Sequence, residues 1–88
     1  MLNYLVEFLG TFLFLSVVIA TTNPLLIAGA LLTVILLIGN ISGSHVNPAI
    51  SVMVWAKGSL SNKDLVGYVL AQLAGGLTAL AAYKSLAH

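Results

Sequence analysis

The segment from Ile41 to Ser51 reads I-S-G-S-H-V-N-P-A-I-S and interrupts an otherwise apolar sequence. We call its centre, Ser42–Val46, the polar turn. The apolar run resumes directly afterwards, so the turn is predicted to lie inside a lipid bilayer rather than in water. Irregular backbone at that depth is tolerated only where protein encloses it or where it lines a water-filled cavity. The segment therefore predicts a turn at the edge of a pore.

The composition of the 88 residues indicates the class of protein. Hydrophobic residues make up 60% of the chain and charged residues 6%, whereas a soluble domain carries charge on roughly a quarter of its residues. The chain is therefore predicted to be one integral membrane domain over residues 1–88. The net charge of +1 indicates no nucleic-acid partner, and the absence of cysteine excludes disulfides and thiolate chemistry.

Three apolar segments, residues 4–22, 25–41 and 62–86, are predicted to cross the membrane as helices. Residues 48–56 differ, because at 1.5 Å per residue they reach only about 13 Å of a hydrocarbon core of roughly 30 Å. Asn47 and Pro48 are typical of the N-cap and first residue of a helix. The predicted fold class is all-α: three transmembrane helices plus one re-entrant loop and half-helix over residues 42–57.

The half-helix must leave the membrane by the side it entered, which fixes the relative positions of the charges. Lys57, Lys63 and Asp64 are predicted to share a side with the amino terminus. Lys84 and His88 are predicted to lie on the other side. Lysine and arginine in short loops favour the cytoplasm. Two lysines against one favour a cytoplasmic amino terminus only slightly, and both orientations are permitted.

The run S-G-S-H-V-N-P-A (Ser42–Ala49) resembles the first signature loop of the aquaporin and aquaglyceroporin family, the major intrinsic proteins. E-F-L-G-T-F (Glu7–Phe12) is similar to that family's first helix, and G-Y-V-L-A-Q-L-A-G-G (Gly67–Gly76) to its third. The resemblance covers essentially the whole chain but only the amino-terminal half of the family pattern. Members usually have six spans and two half-helices in two inverted halves. The second Asn-Pro-Ala and the arginine after it are absent from this sequence.

The candidate pore residues belong to the polar turn and its flanks. As N-cap, Asn47 can donate its free NH₂ to a passing water or alcohol, while the helix dipole repels cations. The resemblance implies that the turn carbonyls face the pore and that Ile27 occupies a selectivity constriction that is commonly aromatic. Asn40 is either a pore contact or a helix-end cap. The predicted pore residues are Ile27, Asn40, Gly43, Ser44, His45, Val46, Asn47, Pro48 and Ala49.

Two titratable side chains carry alternative interpretations. Glu7 is the only acid in the first segment and is predicted to brace the turn by accepting hydrogen bonds from its N–H groups, as the resemblance also implies. The alternative is the carboxylate of a small proton-coupled transporter. His45 is interpreted as a hydrogen-bonded loop residue, because no second histidine or carboxylate lies at metal-ligand spacing. No enzyme activity, cofactor or metal site is predicted.

These features predict a passive channel for water or small uncharged solutes such as glycerol. Three helices and one half-helix cannot enclose a pore, so a second half-unit is expected across a twofold axis in the membrane plane. That unit is either an identical chain in inverted orientation or a separate chain. The resemblance further implies a tetramer of pores. The remaining alternative is a non-conducting half-channel fragment or a modulatory subunit.

Overall fold

The computed structural model of the chain describes residues 1–86, and within that range the fold consists of four helices. They are α1 (Leu2–Ala20), α2 (Pro24–Ser42), α3 (Pro48–Ala56) and α4 (Asn62–Leu86). Helices α1, α2 and α4 are long and apolar enough to cross a membrane, whereas the 9 residues of α3 are not. The predicted fold class, three spanning helices and one half-helix, is confirmed.

Local hydrogen bonds set the boundary between α1 and α2. Thr21 adopts an extended conformation (φ −149°), and its Oγ1 accepts a hydrogen bond of 3.1 Å from Asn23 N. Helix α1 therefore ends at Ala20, two residues before the predicted end at 22. It also begins at Leu2, two residues before the predicted start at 4. Asn23 then caps α2, since its Oδ1 accepts from Leu25 N at 2.9 Å, and Pro24 is the first helical residue.

Helices α1 and α4 pack side by side and run in the same direction. Near their starts, Tyr4 donates its hydroxyl hydrogen to Asp64 and its ring lies over Gly67, where an added Cβ would be 2.6 Å from the ring. Further along both helices, a Cβ on Gly75 would lie 2.7 Å from the carbonyl oxygen of Phe8. Such close backbone approach supplies the packing that holds helices together in lipid.

The polar turn reaches the middle of the helical bundle. A Cβ on Gly10, which is midway along α1, would lie 3.3 Å from a Val46 methyl carbon. From there α3 returns along α4, and Trp55 Nε1 donates to Asn62 Oδ1 at 2.7 Å where α4 begins. Helix α3 is thus re-entrant, because its end lies beside the start of α4, at the same level as the start of α1.

The distribution of polar and apolar side chains is the reverse of that in a soluble protein. Large apolar residues such as Leu25 and Leu77 are 82% and 68% exposed, whereas Glu7 and Gln72 are 0% and 2% exposed. Leucine of this exposure along three long helices requires an apolar solvent. The chain is therefore a multi-pass integral membrane protein, as its composition predicts.

Candidate functional site

The backbone of the polar turn is strained. Gly43, Ser44 and Val46 all have positive φ, at +88°, +50° and +44°. Glycine adopts this conformation without penalty, but a β-branched residue such as Val46 does so at a cost of order 1–3 kcal/mol. Such a conformation persists only where the surrounding structure holds it. The contacts of the turn therefore determine whether the site keeps its shape.

Glu7 supplies those contacts from α1. Its Oε2 accepts hydrogen bonds from His45 N at 3.0 Å and from Ser42 Oγ at 2.5 Å. Its Oε1 accepts from Val46 N at 2.8 Å and from Gln72 Nε2 at 3.0 Å. All four partners donate, which matches a carboxylate, a group with acceptor sites only. Glu7 therefore holds the backbone of the strained turn and ties it to α4.

A second set of contacts holds the side chain of His45. Its Nδ1 lies 2.8 Å from Ser51 Oγ, and Gln72 Nε2 donates to the same oxygen at 2.9 Å. The ring lies against Tyr68, with 4.8 Å between ring centroids, and the Tyr68 hydroxyl donates to Ser42 O at 2.7 Å. These bonds join the end of α2, the polar turn, α3 and α4 in one network.

Asn47 caps the half-helix at its tip. Its Oδ1 accepts a hydrogen bond of 2.8 Å from Ala49 N, and Pro48 is the first helical residue. The Asn47 side chain is exposed, and its NH₂ group makes no hydrogen bond within residues 1–86. A free donor thus lies at the positive end of the α3 dipole, near the middle of the bundle.

The two remaining predicted pore residues lie away from this cluster. Asn40 is exposed on the last turns of α2, and its side chain makes no hydrogen bond with any other described residue. Ile27 lies in the first turn of the same helix, about 22 Å along the axis from Ser42. The structure therefore groups Gly43–Ala49 with Glu7 but leaves Ile27 in the opposite half of the membrane.

Sequence reasoning did not assign roles to three members of the network: Ser42, Ser51 and Gln72. It placed Tyr68 near the membrane interface as an anchor, but the side chain is buried and bonded to Ser42 O. Gln72 had a detectable signal, because it is the only amide between Asp64 and Lys84 in a predicted span, where polar groups are costly. Hydroxyl residues are common in membrane helices and gave no comparable signal. The described residues contain no group of three His, Asp or Glu side chains that could hold a metal ion.

The fold and the site define a membrane protein in which a capped half-helix begins near the middle of the helical bundle, an architecture used by channels and transporters. The family model for major intrinsic proteins matches residues 1–88. The chain belongs to the major intrinsic protein family.

Two curated relatives illustrate the similarity. The chain is 39% identical to glycerol uptake facilitator protein-like 6 of Lactiplantibacillus plantarum over 97% of its own length and 44% of the relative's. It is 36% identical to aquaporin Z of Photorhabdus laumondii over 85% of its own length and 39% of the relative's. The chain therefore spans less than half the length of these relatives. No solved structure matches it.

Proposed function

We propose that this chain forms one half of a passive channel for water or small uncharged solutes such as glycerol. The observation that carries the proposal is the exposed Asn47 at the tip of α3, with Oδ1 committed to the helix cap and NH₂ free. A free amide donor can bind the oxygen of a water or an alcohol. The α3 dipole beside it disfavours cations, including protons.

The exposure of two amides at membrane depth supports a water-filled path. Asn40 and Asn47 are both exposed in the isolated chain, although each lies within the apolar part of the sequence. An amide in contact with hydrocarbon lacks its hydrogen bonds, at a cost of several kcal/mol. These side chains are therefore expected to face water or another protein rather than lipid.

The enclosure of Glu7 favours a channel over a proton-coupled transporter. A coupling carboxylate must exchange protons with water on each side of the membrane in turn. Glu7 is 0% exposed, and both of its oxygens are occupied by donors from the turn and from Gln72. This arrangement suits a structural brace that keeps the turn in shape.

A second half-unit is needed to close the path. Two open apolar grooves lie along the second half of α1, one of about 440 Å³ against α4 and one of about 620 Å³ against α2. Their linings belong to the half of the bundle that α3 does not reach, so that half is incomplete. We propose that an inverted half-unit completes it, and that such pores assemble as tetramers. The relatives' names, a glycerol facilitator and an aquaporin, support these solute classes.

The chain contains its own control for a test of Asn47, because Asn23-Pro24 repeats the same cap at the start of α2. Asn47→Asp and Asn23→Asp both retain a capping oxygen, but only the first removes a donor from the proposed path. In proteoliposomes containing only this chain, we expect stopped-flow water and glycerol permeability above that of empty vesicles. Asn47→Asp should remove most of this flux, and Asn23→Asp should leave it unchanged.

The outcomes separate the alternatives. Flux equal to that of empty vesicles, with the wild-type protein folded, would favour a non-conducting fragment or a modulatory subunit. Unchanged flux in both variants would show that Asn47 acts only as a helix cap, since aspartate keeps the capping oxygen. A gradient-driven uptake that Glu7→Gln abolishes would favour the transporter.

The orientation of the second half-unit has its own test. The chain lacks cysteine, so Lys57→Cys and Lys84→Cys each introduce one label site, at opposite ends of the bundle. An inverted identical copy requires each variant to be labelled from both membrane faces. Labelling from one face only, a different face for each variant, would require a separate second half-unit. An identical copy would bring no arginine, so proton exclusion would rest on two half-helix dipoles.

A further inference from the structure

We propose that a single water molecule binds between Thr11 and Gln72, where α1 packs against α4. Both residues belong to the buried faces of their helices. The proposal rests on two buried polar atoms, one from each residue, that have no hydrogen-bond partner within residues 1–86. It does not depend on the proposed channel function, because neither atom is exposed to a path for the solute.

The first unpaired atom is the side-chain oxygen of Gln72. Gln72 Nε2 donates to Glu7 Oε1 at 3.0 Å and to Ser51 Oγ at 2.9 Å. A carboxylate oxygen can only accept, so the nitrogen of the amide must face Glu7 and the oxygen must point away from it. Gln72 Oε1 is therefore a buried acceptor without a donor among the described residues. Buried amide oxygens in folded proteins almost always have a partner, since an unpaired one costs free energy.

The second unpaired atom is the hydroxyl oxygen of Thr11, which departs from the pattern of other hydroxyls in the spanning helices. Ser16, Thr33 and Thr78 each donate to the backbone carbonyl four residues earlier, at 2.6, 2.8 and 2.7 Å. Thr11 makes no such bond to Glu7 O, and its Oγ1 is buried. A buried hydroxyl that does not bond to its own helix needs a partner from outside that helix.

The packing of the two helices places these groups about one helical turn apart. Thr11 faces Gly75 of α4, where an added Cβ would lie 3.1 Å from Thr11 Cβ. Gln72 precedes Gly75 by three residues on the same buried face, an axial separation of about 4.5 Å. One water with hydrogen bonds of about 2.8 Å can join two oxygens up to about 5.6 Å apart. It would donate one hydrogen to Gln72 Oε1 and bond to the Thr11 hydroxyl, so both unpaired atoms gain a partner.

Burial identifies the ligand as a structural water rather than a transported solute. Thr11 and Gln72 are 1% and 2% exposed, and neither residue lines the two apolar grooves along α1. Waters in such enclosed polar sites bond to groups that would otherwise stay unpaired. A third buried unpaired atom, Ser44 Oγ, belongs to the polar turn and is not part of this site.

The sign of a stability change tests whether the Thr11 hydroxyl has a partner. Thr11→Val keeps the shape of the side chain and removes the hydroxyl, so loss of the bound water should lower the denaturant midpoint in detergent micelles. A hydroxyl without a partner predicts the opposite, because valine would remove a buried polar group that bonds to nothing. Thr33→Val is the matched control, since the Thr33 hydroxyl is exposed and bonded to its own helix, and its midpoint should change less. A midpoint for Thr11→Val at or above that of the wild type would overturn the proposal.

Magnetisation transfer from water, measured by solid-state NMR of the full chain in lipid bilayers, distinguishes a bridging water from a direct bond between the two side chains. Gln72 is the single glutamine of the chain, so labelled glutamine gives one side-chain amide to observe. Its NH₂ signals should gain intensity from water in the wild type and in Thr11→Ser, which keeps a hydroxyl. Thr11→Val should lose most of that transfer. The exposed amide of Asn47 is the positive control and should receive transfer in all three chains.

Two results of the NMR experiment would contradict the water site. No transfer to the Gln72 amide in the wild type would mean that no water binds there, whatever the change in stability. Equal transfer in the wild type and Thr11→Val would mean that the water does not bind to Thr11. Neither measurement uses flux, so failure of the proposed channel and failure of the water site are distinguishable.

Discussion

Glu7 Oε1 accepts a hydrogen bond of 2.8 Å from the backbone N–H of Val46, a β-branched residue held at a φ of +44°. The hydrogen bond and the positive φ are linked, because a valine keeps a left-handed backbone conformation only where its contacts outweigh the strain. The carboxylate lies on α1, 39 residues before Val46 in the chain. The conformation of the turn therefore depends on the packing of α1 as much as on its own sequence.

Replacing Glu7 with Gln should destabilise the fold. The amide provides one accepting oxygen where the carboxylate provides two, so at least one donor of the turn or of Gln72 would face an NH₂ group. Loss of charge-assisted bonds at a buried site costs about 2–4 kcal/mol. Chemical unfolding in detergent micelles, followed by helical circular dichroism, measures the change.

Asp64→Asn is the matched control for this substitution. Asp64 is the chain's other acid, only partly buried, and its single side-chain partner among the described residues is the Tyr4 hydroxyl. An asparagine oxygen can still accept that bond, so the stability should change by less than about 1 kcal/mol. Equal losses in the two variants would mean that Glu7 has no special role in holding the turn.

Tyr68→Phe should weaken the attachment of α4 to the end of α2. The hydroxyl of Tyr68 donates to Ser42 O at 2.7 Å in a buried position, and phenylalanine would leave that carbonyl without this bond. The expected loss is about 1–2 kcal/mol in the same unfolding measurement. Tyr83→Phe serves as the control, since Tyr83 is exposed and makes no side-chain hydrogen bond within residues 1–86. Similar stability in both variants would contradict the role given to Tyr68.

Substitution by alanine should change the stability of the fold in opposite directions at two glycines, Gly75 and Gly29. At Gly75 a Cβ would meet the backbone of α1, 2.7 Å from Phe8 O, so Gly75→Ala should push α1 and α4 apart at a cost of about 1–3 kcal/mol. At Gly29, on α2, nothing lies within 4 Å of the added atom. Gly29→Ala should stabilise the helix by about 0.5–1 kcal/mol. If Gly75→Ala were no less stable than the wild type, α1 and α4 would not be closely packed at Gly75.

The fold class was predictable because hydropathy and helix length are properties of single segments. Three runs are long enough to cross the bilayer and residues 48–56 are not, and Asn47-Pro48 marks where the short helix starts. The predicted positions of the helix ends were less accurate than the predicted fold class. The bond between Thr21 and Asn23 ends α1 early, and apolar character alone does not report it.

The network around the turn was only partly predictable. The bonds from Glu7 to the N–H groups of the turn were expected, since a membrane carboxylate needs donors and the turn has free ones. The part played by Gln72 depends on which face of α4 meets α1, 65 residues away. A helix that is apolar on all sides has no hydrophobic stripe to indicate that face. The bonds between Glu7 and the turn were therefore predictable from the sequence, whereas the links to α4 were not.

Exchanging the side chains of Glu7 and Gln72, which bond to each other in the core, tests whether the carboxylate must lie on α1. The double variant Glu7→Gln, Gln72→Glu keeps the composition and the side-chain sizes, and it still pairs an amide with a carboxylate. It moves the charge to α4, however, while His45 N and Val46 N bond to the side chain of residue 7. We expect the double variant to unfold at least as readily as Glu7→Gln alone, because the turn still lacks its acceptor. Recovery of wild-type stability in the double variant would mean that a buried amide–carboxylate pair is enough to stabilise the fold. The hydrogen bond from Val46 N to a carboxylate at position 7 would then not be required.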